Sequence, residues 1–190
     1  MLFITNRYAR SLVKIGMATA SIWAAGIAQA DVTATYEAGG SDLFEVAIPD
    51  NWIVSVGGFR DLDASAVDKG TVPRVMGIYP ESDRRVWVGL TSPDGVSTFS
   101  QAKDYILQLD KRLVENPVLE GPKSTTIGGR SARTITGTGI RNGNAVNFTI
   151  LAIDLPGNRV AIGVVVGENG ARGLYRDDLT NLIRSFNVVR

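Results

Sequence analysis

Residues 125–166 read TTIGGRSARTITGTGIRNGNAVNFTILAIDLPGNRVAIGVVV. Three turn signals punctuate this stretch: Gly128-Gly129, Asn142-Gly143 and Pro156-Gly157-Asn158. Glycine and asparagine tolerate the positive φ of primed hairpin turns, and Pro-Gly suits a type II turn. Three such turns between β-rich runs predict a four-stranded antiparallel meander. In the last strand Val160, Ile162, Val164 and Val166 face one way, and Ala161, Gly163 and Val165 face the other. Both faces are apolar, so this strand is expected to be covered on both sides. The small face around Gly163 is expected to let a helix approach closely.

Outward from the meander the period changes. Leu174, Tyr175, Leu179, Leu182, Ile183 and Phe186 form the stripe of a final helix beginning near Asn169. Asp177 and Asp178 sit early in it and Arg184 late, in accord with the helix dipole. Residues 185–189 then read as a short extended tail. Upstream, Phe99, Ala102, Tyr105, Ile106, Leu109 and Leu113 recur at spacings of three and four, predicting a second amphipathic helix. Thr98 and Gln101 fit a capping box at its start, and Asn116-Pro117 is expected to end it.

The N-terminal portion reads as strands. Phe44 to Ile48 alternates and stops at Pro49-Asp50-Asn51, which is turn chemistry, and Trp52 to Val56 follows. Trp52 is expected to anchor the core. Val75 to Tyr79 and Arg85 to Thr91 are the next strands, joined by the polar turn Pro80-Glu81-Ser82-Asp83. Residues 57–74, rich in Gly, Asp, Ser and Ala, read as a long surface loop. The sum is the α+β class: an α/β/α sandwich with a central antiparallel sheet and two main helices. A β-barrel with peripheral helices is the structural alternative.

Residues 1–30 contain Arg7, Arg10 and Lys14 but no acid, then the apolar run IGMATASIWAAGIA at 15–28, then Ala28-Gln29-Ala30. A cationic start, a short apolar core and small residues at a cleavage site make a secretory signal peptide. The apolar run is shorter than the roughly 20 residues a membrane span needs. The expectation is therefore a cleaved leader over 1–30 and a single domain over 31–190, periplasmic or secreted, with no membrane span afterwards. Removing the leader's three cations from the total of 20 leaves 17 basic against 19 acidic side chains, a net charge of −2. That balance offers no overall field for nucleic acid.

The chain has no Cys and no His. Serine and cysteine triads that depend on His, Cys/His zinc sites, haem ligation by those residues and disulfides are thereby excluded. Gly137-Thr138-Gly139 is no dinucleotide fingerprint: the third glycine falls at Gly143, one position late, and leads into a hairpin instead of a helix. Asp61, Asp63, Ser65 and Asp68 begin like a calcium loop, but Ala66 and Val72 stand where an EF-hand needs Gly and Glu. No cofactor is expected. Asp50, Asp61, Asp63, Asp83, Asp94 and Asp154 all fall in turns, and a converging pair would suit glycoside-type hydrolysis.

Three motifs resemble the PsbP-like superfamily. Residues 44–52, FEVAIPDNW, resemble its opening signature of an apolar strand, Pro, turn residues and Trp. Residues 127–132, IGGRSA, are similar to its central glycine hairpin, and residues 182–186, LIRSF, to its closing helix. The superfamily includes extrinsic proteins of photosystem II, a Ran-binding import factor and many exported bacterial proteins. The resemblance implies an α/β/α sandwich and a non-catalytic accessory or binding role. Lacking His, this chain has no counterpart to the His-based metal sites of some members, and it has no lipid-attachment Cys either.

Arg74, Arg84 and Arg85 flank the predicted hairpin, with Trp87 beyond. Arg85 and Trp87 are expected on one strand face, where they would grip an anionic or aromatic partner. The resulting expectation is an exported, soluble, non-catalytic accessory or binding protein of the bacterial cell envelope. It would meet a protein partner through Arg74, Arg84, Arg85 and Trp87 and through the 57–74 loop. The alternatives are an Asp-pair hydrolase and a carrier of a small apolar ligand held between sheet and helix.

Overall fold

The computed structural model describes residues 32–58 and 74–189, with backbone only at 58, 74 and 107–113. The leader expected over 1–30 and the Asp61 to Asp68 stretch lie outside the described residues.

The meander forms as the turn chemistry dictates. Strands β6 (Glu115–Ile127), β7 (Arg130–Arg141), β8 (Asn144–Leu155) and β9 (Arg159–Glu168) pair in succession, all antiparallel. Gly128, Gly129, Asn142, Gly143, Gly157 and Asn158 all take positive φ at the connections. Strands β3 (Trp52–Gly58), β4 (Arg74–Pro80) and β5 (Val86–Thr91) extend the sheet to seven strands in the order β3-β4-β5-β9-β8-β7-β6.

One strand is longer than turn signals suggest. β6 reaches back to Glu115, through Pro117 and Pro122, well before the β-rich run at Thr125 that the turn signals mark. Proline cannot donate to a ladder, so it is tolerated on an edge strand or at a bulge. Both conditions hold: β6 is an edge, and its register with β7 shifts between Glu115 and Val118 and between Glu120 and Lys123.

The central strand β9 is covered on both faces. On one, Val160, Ile162, Val164 and Val166 join Val146, Phe148, Ile150 and Ala152 of β8 beneath Ala102 and Ile106 of helix α1 (Phe99–Leu113). The capping box forms: Thr98 Oγ1 accepts from Gln101 N at 3.2 Å, and Gln101 Oε1 from Thr98 N at 3.1 Å. On the other face, Ala161 and Val165 pack with Leu151, Leu179, Leu182 and Phe186. The space beside Gly163 is filled by the side chains of Leu90 and Leu151 from neighbouring strands, so no helix uses it. The close helix approach is at Gly167, against Arg172.

The final helix is two pieces, α2 (Ala171–Leu174) and α3 (Arg176–Arg184), broken at Tyr175. The break turns Leu174 out of the expected stripe, leaving it 73% exposed. Tyr175 instead meets the Trp52 ring edge-on at 5.7 Å between centroids.

The α+β sandwich has the expected central antiparallel sheet, with one predicted strand placed elsewhere. Residues 41–48 do not join it. β1 (Val32–Ala38), β2 (Ser41–Ile48) and β10 (Asn187–Val188) form a separate three-stranded antiparallel sheet. Alternation marked Phe44, Val46 and Ile48 as an inward face, and all three are buried. It does not mark the partner, which here is the end of the chain. The layers are thus α1, the seven-stranded sheet, and then α2–α3 with the small sheet.

The three resembling motifs meet in the core. Tyr36 stacks on Phe44 at 4.8 Å and Phe44 on Phe186 at 4.9 Å. Ser185 Oγ accepts from Ala47 N and donates to Leu182 O, both at 2.8 Å. Trp52 is buried, and its Nε1 donates to Asp178 Oδ2 at 3.2 Å. Gly128, at φ 55°, leaves no room for a Cβ against the Phe186 carbonyl. These motifs are packing determinants.

Candidate functional site

The turn end of the β4–β5 hairpin carries three of the four residues singled out above, Arg84, Arg85 and Trp87. Trp87 pairs with Val166 of β9, and its indole lies across two glycines. A Cβ at Gly89 would run into the ring, and one at Gly77 would stand 3.1 Å from Nε1 and 2.8 Å from Ser55 Oγ. Without side chains at 77 and 89, the strands form a flat shelf for a half-buried indole.

Cations surround it. Arg84 places its guanidinium 3.8 Å from the centre of the Tyr79 ring. Arg141, at the end of β7, stands 5.6 Å from the Trp87 ring. Burial lowers its pKa, and the nearby Glu168 carboxylate opposes that effect. An arginine remains charged under any such perturbation. Tyr79, Arg84, Arg85, Trp87, Arg141 and Glu168 line one cleft of about 290 Å³.

Arg85 is the most constrained of the group. Its Nε and Nη2 donate to the Asp83 carboxylate at 3.0 and 2.8 Å, and its backbone N donates to Oδ1 at 3.0 Å. Tyr175 Oη adds a fourth hydrogen bond at 3.2 Å. The Arg85 hydrogen bonds hold the Asp83 pKa down at about 2, and the same pairing raises that of Arg85. A bidentate pair of this kind fixes orientation as well as charge.

Arg74 is not part of this cluster. It opens β4 opposite Gly58, five residues before Tyr79. At about 3.3 Å per residue that separation is roughly 16 Å along the strand. The ends of the 57–74 segment lie there too, away from the hairpin; residues 59–73 themselves are outside the described residues.

Sequence reasoning did not select Tyr79, Arg141 or Glu168. The signal for the shelf was present, since glycine at 77 and 89 inside two strands points to a close neighbour. Arg141 and Glu168 had none, because only the strand order β5-β9-β8-β7 brings them to Trp87.

The turn aspartates are mostly engaged elsewhere. Asp83 pairs with Arg85, Asp94 with Arg159 at 2.9 Å and Asp154 with Arg130 at 2.8 Å. Asp50 shares a second cleft with Asp178, whose carboxylate accepts from Trp52. Asp61 and Asp63 lie outside the described residues. Among the described residues no three carboxylates group closely enough to hold a metal ion, and no helix is long and apolar enough to cross a membrane.

No family model and no curated protein matches the chain. Solved structures do. The solution structure of the cyanobacterial PsbP (CyanoP) from Synechocystis aligns with a TM-score of 0.51 at 12% identity, covering 86% of this chain and 96% of that one. The chain has the PsbP-like fold. LpqN of Mycobacterium tuberculosis, described as involved in cell envelope biogenesis, aligns with a TM-score of 0.44 at 15% identity, over 84% of this chain and 91% of its own. A Pseudomonas aeruginosa protein of unknown function, a putative regulator by its description, gives 0.44 at 14% identity, over 80% and 94%. At these identities the PsbP likeness speaks to the fold alone.

Proposed function

We propose that this PsbP-like chain is an exported accessory protein of the bacterial cell envelope that binds a protein partner through the Trp87 cleft. The observation that carries the reading is the half-buried indole of Trp87, laid on Gly77 and Gly89 with Arg141 beside it and the Arg84–Tyr79 stack lining the same cleft. Tryptophan, tyrosine and arginine are the residue types that anchor protein interfaces. The flat indole supplies apolar contact, and the guanidiniums favour an acidic partner surface. The leader over 1–30 supports export.

The test is site-specific photocrosslinking from position 142, an exposed turn residue at the cleft rim, in cells expressing the full chain. The expected result is one discrete adduct, lost in Trp87→Ala and in the double variant Arg84→Glu/Arg141→Glu. An adduct that survives both substitutions would refute the assignment of the cleft. Circular dichroism of the purified variants checks that the fold is retained.

A further inference from the structure

A second opening lies on the same sheet face, at the other end of β7. It has a volume of about 240 Å³. Phe99 and Ile106 of α1, Ile135 of β7, Ile150 and Ala152 of β8 and Pro122 of β6 supply its apolar walls. Two cations, Lys103 and Arg133, line it as well, and among the described residues no acidic side chain does. From residue 133 to residue 141 is about 27 Å along the strand, so this pocket and the Trp87 cleft are separate.

The opening has a structural cause. β6 bulges between Glu120 and Lys123, and Pro122 lies in the bulge. The strand is exposed along nearly its whole length, and α1 covers β8 and β9 while Ile135 of β7 is only partly buried. Lys103 and Arg133 are both exposed. Among the described residues neither has an ion-pair partner; Arg133 stands 5.1 Å from the Phe99 ring.

From this geometry we infer that the pocket binds a monomeric single-chain amphiphile with an anionic head group. The apolar walls take the chain, and Lys103 and Arg133 meet the head at the mouth, still in water. The size decides the class: pockets for drug-sized ligands span roughly 300–1,000 Å³. This one falls just below, with room for one acyl chain and not for a two-chain lipid.

The probe is decanoate, titrated below its micellar concentration into the purified protein and followed by amide NMR. Saturable one-to-one binding is expected, with shifts at residues 133, 135 and 150. Decyltrimethylammonium, with the same chain and the opposite charge, should bind about tenfold more weakly, a reasonable effect for two solvated cations. Lys103→Glu/Arg133→Glu should reverse that preference; both sites are exposed, so the fold is expected to persist. Ser100→Trp, at an exposed position on the pocket wall, should block both amphiphiles. No saturable binding of decanoate, equal affinity for both head groups, an unchanged preference in the double variant, or binding to phosphatidylglycerol vesicles alone would each overturn the inference. Loss of the Trp87 crosslink leaves these outcomes untouched.

Discussion

Asp83 shows how a single side chain organises the Trp87 cleft. Four hydrogen bonds converge on its carboxylate, three from Arg85 and one from Tyr175. They fix the Arg85 guanidinium and tie the hairpin to the turn between α2 and α3. Because the folded-state pKa is depressed from 3.8 to about 2, the stabilisation is present above the unfolded value and is lost as pH falls through the folded one. Asp83→Asn is therefore expected to be less stable than the parent at pH 6, with the gap closing between pH 3.8 and about 2. Urea midpoints at several pH values measure this; a gap independent of pH would mean that the carboxylate charge is not what holds the turn.

At the scale of elements, α1 starts where its cap places it. Thr98 satisfies one early amide and Gln101 reaches back to another. Thr98→Ala should cost about 0.5–2 kcal/mol in global stability, read from chemical denaturation. Elements with a local signature were legible in this way. The meander could be read because each turn carries its own glycine or asparagine at positive φ, and the cap because Thr and Gln stand at the required spacing. The rest depended on distant pairing. β2 looks like any half-buried strand, and nothing near Phe44 announces that residues 187–188 will lie beside it. β6 was hidden because Pro117 and Pro122 signal loop, whereas an edge position with two bulges accommodates them. The cleft divides along the same line. Arg84, Arg85 and Trp87 are neighbours in sequence, while Arg141 joins them only through strand order. Arg74 was near them in sequence and far along β4 in space.

For the molecule as a whole, both ends of the described domain meet in one small sheet. Asn187 Nδ2 donates to Glu45 Oε1 across 142 positions of sequence, and Val189 N donates to Leu43 O at 3.2 Å. Phe186 completes the ring stack on Phe44. Deleting residues 185–190 is expected to remove the Ser185 bridge, the ring stack and the third strand together. The truncated protein should lose the single cooperative transition in calorimetry; a sharp transition near that of the parent would show that the last strand is dispensable. The same closure sets an order in time. The first two strands are made early, yet their small sheet cannot be completed until residues 187–188 have followed them. An arrangement of this kind delays completion of the small sheet, which suits the export proposed for the chain.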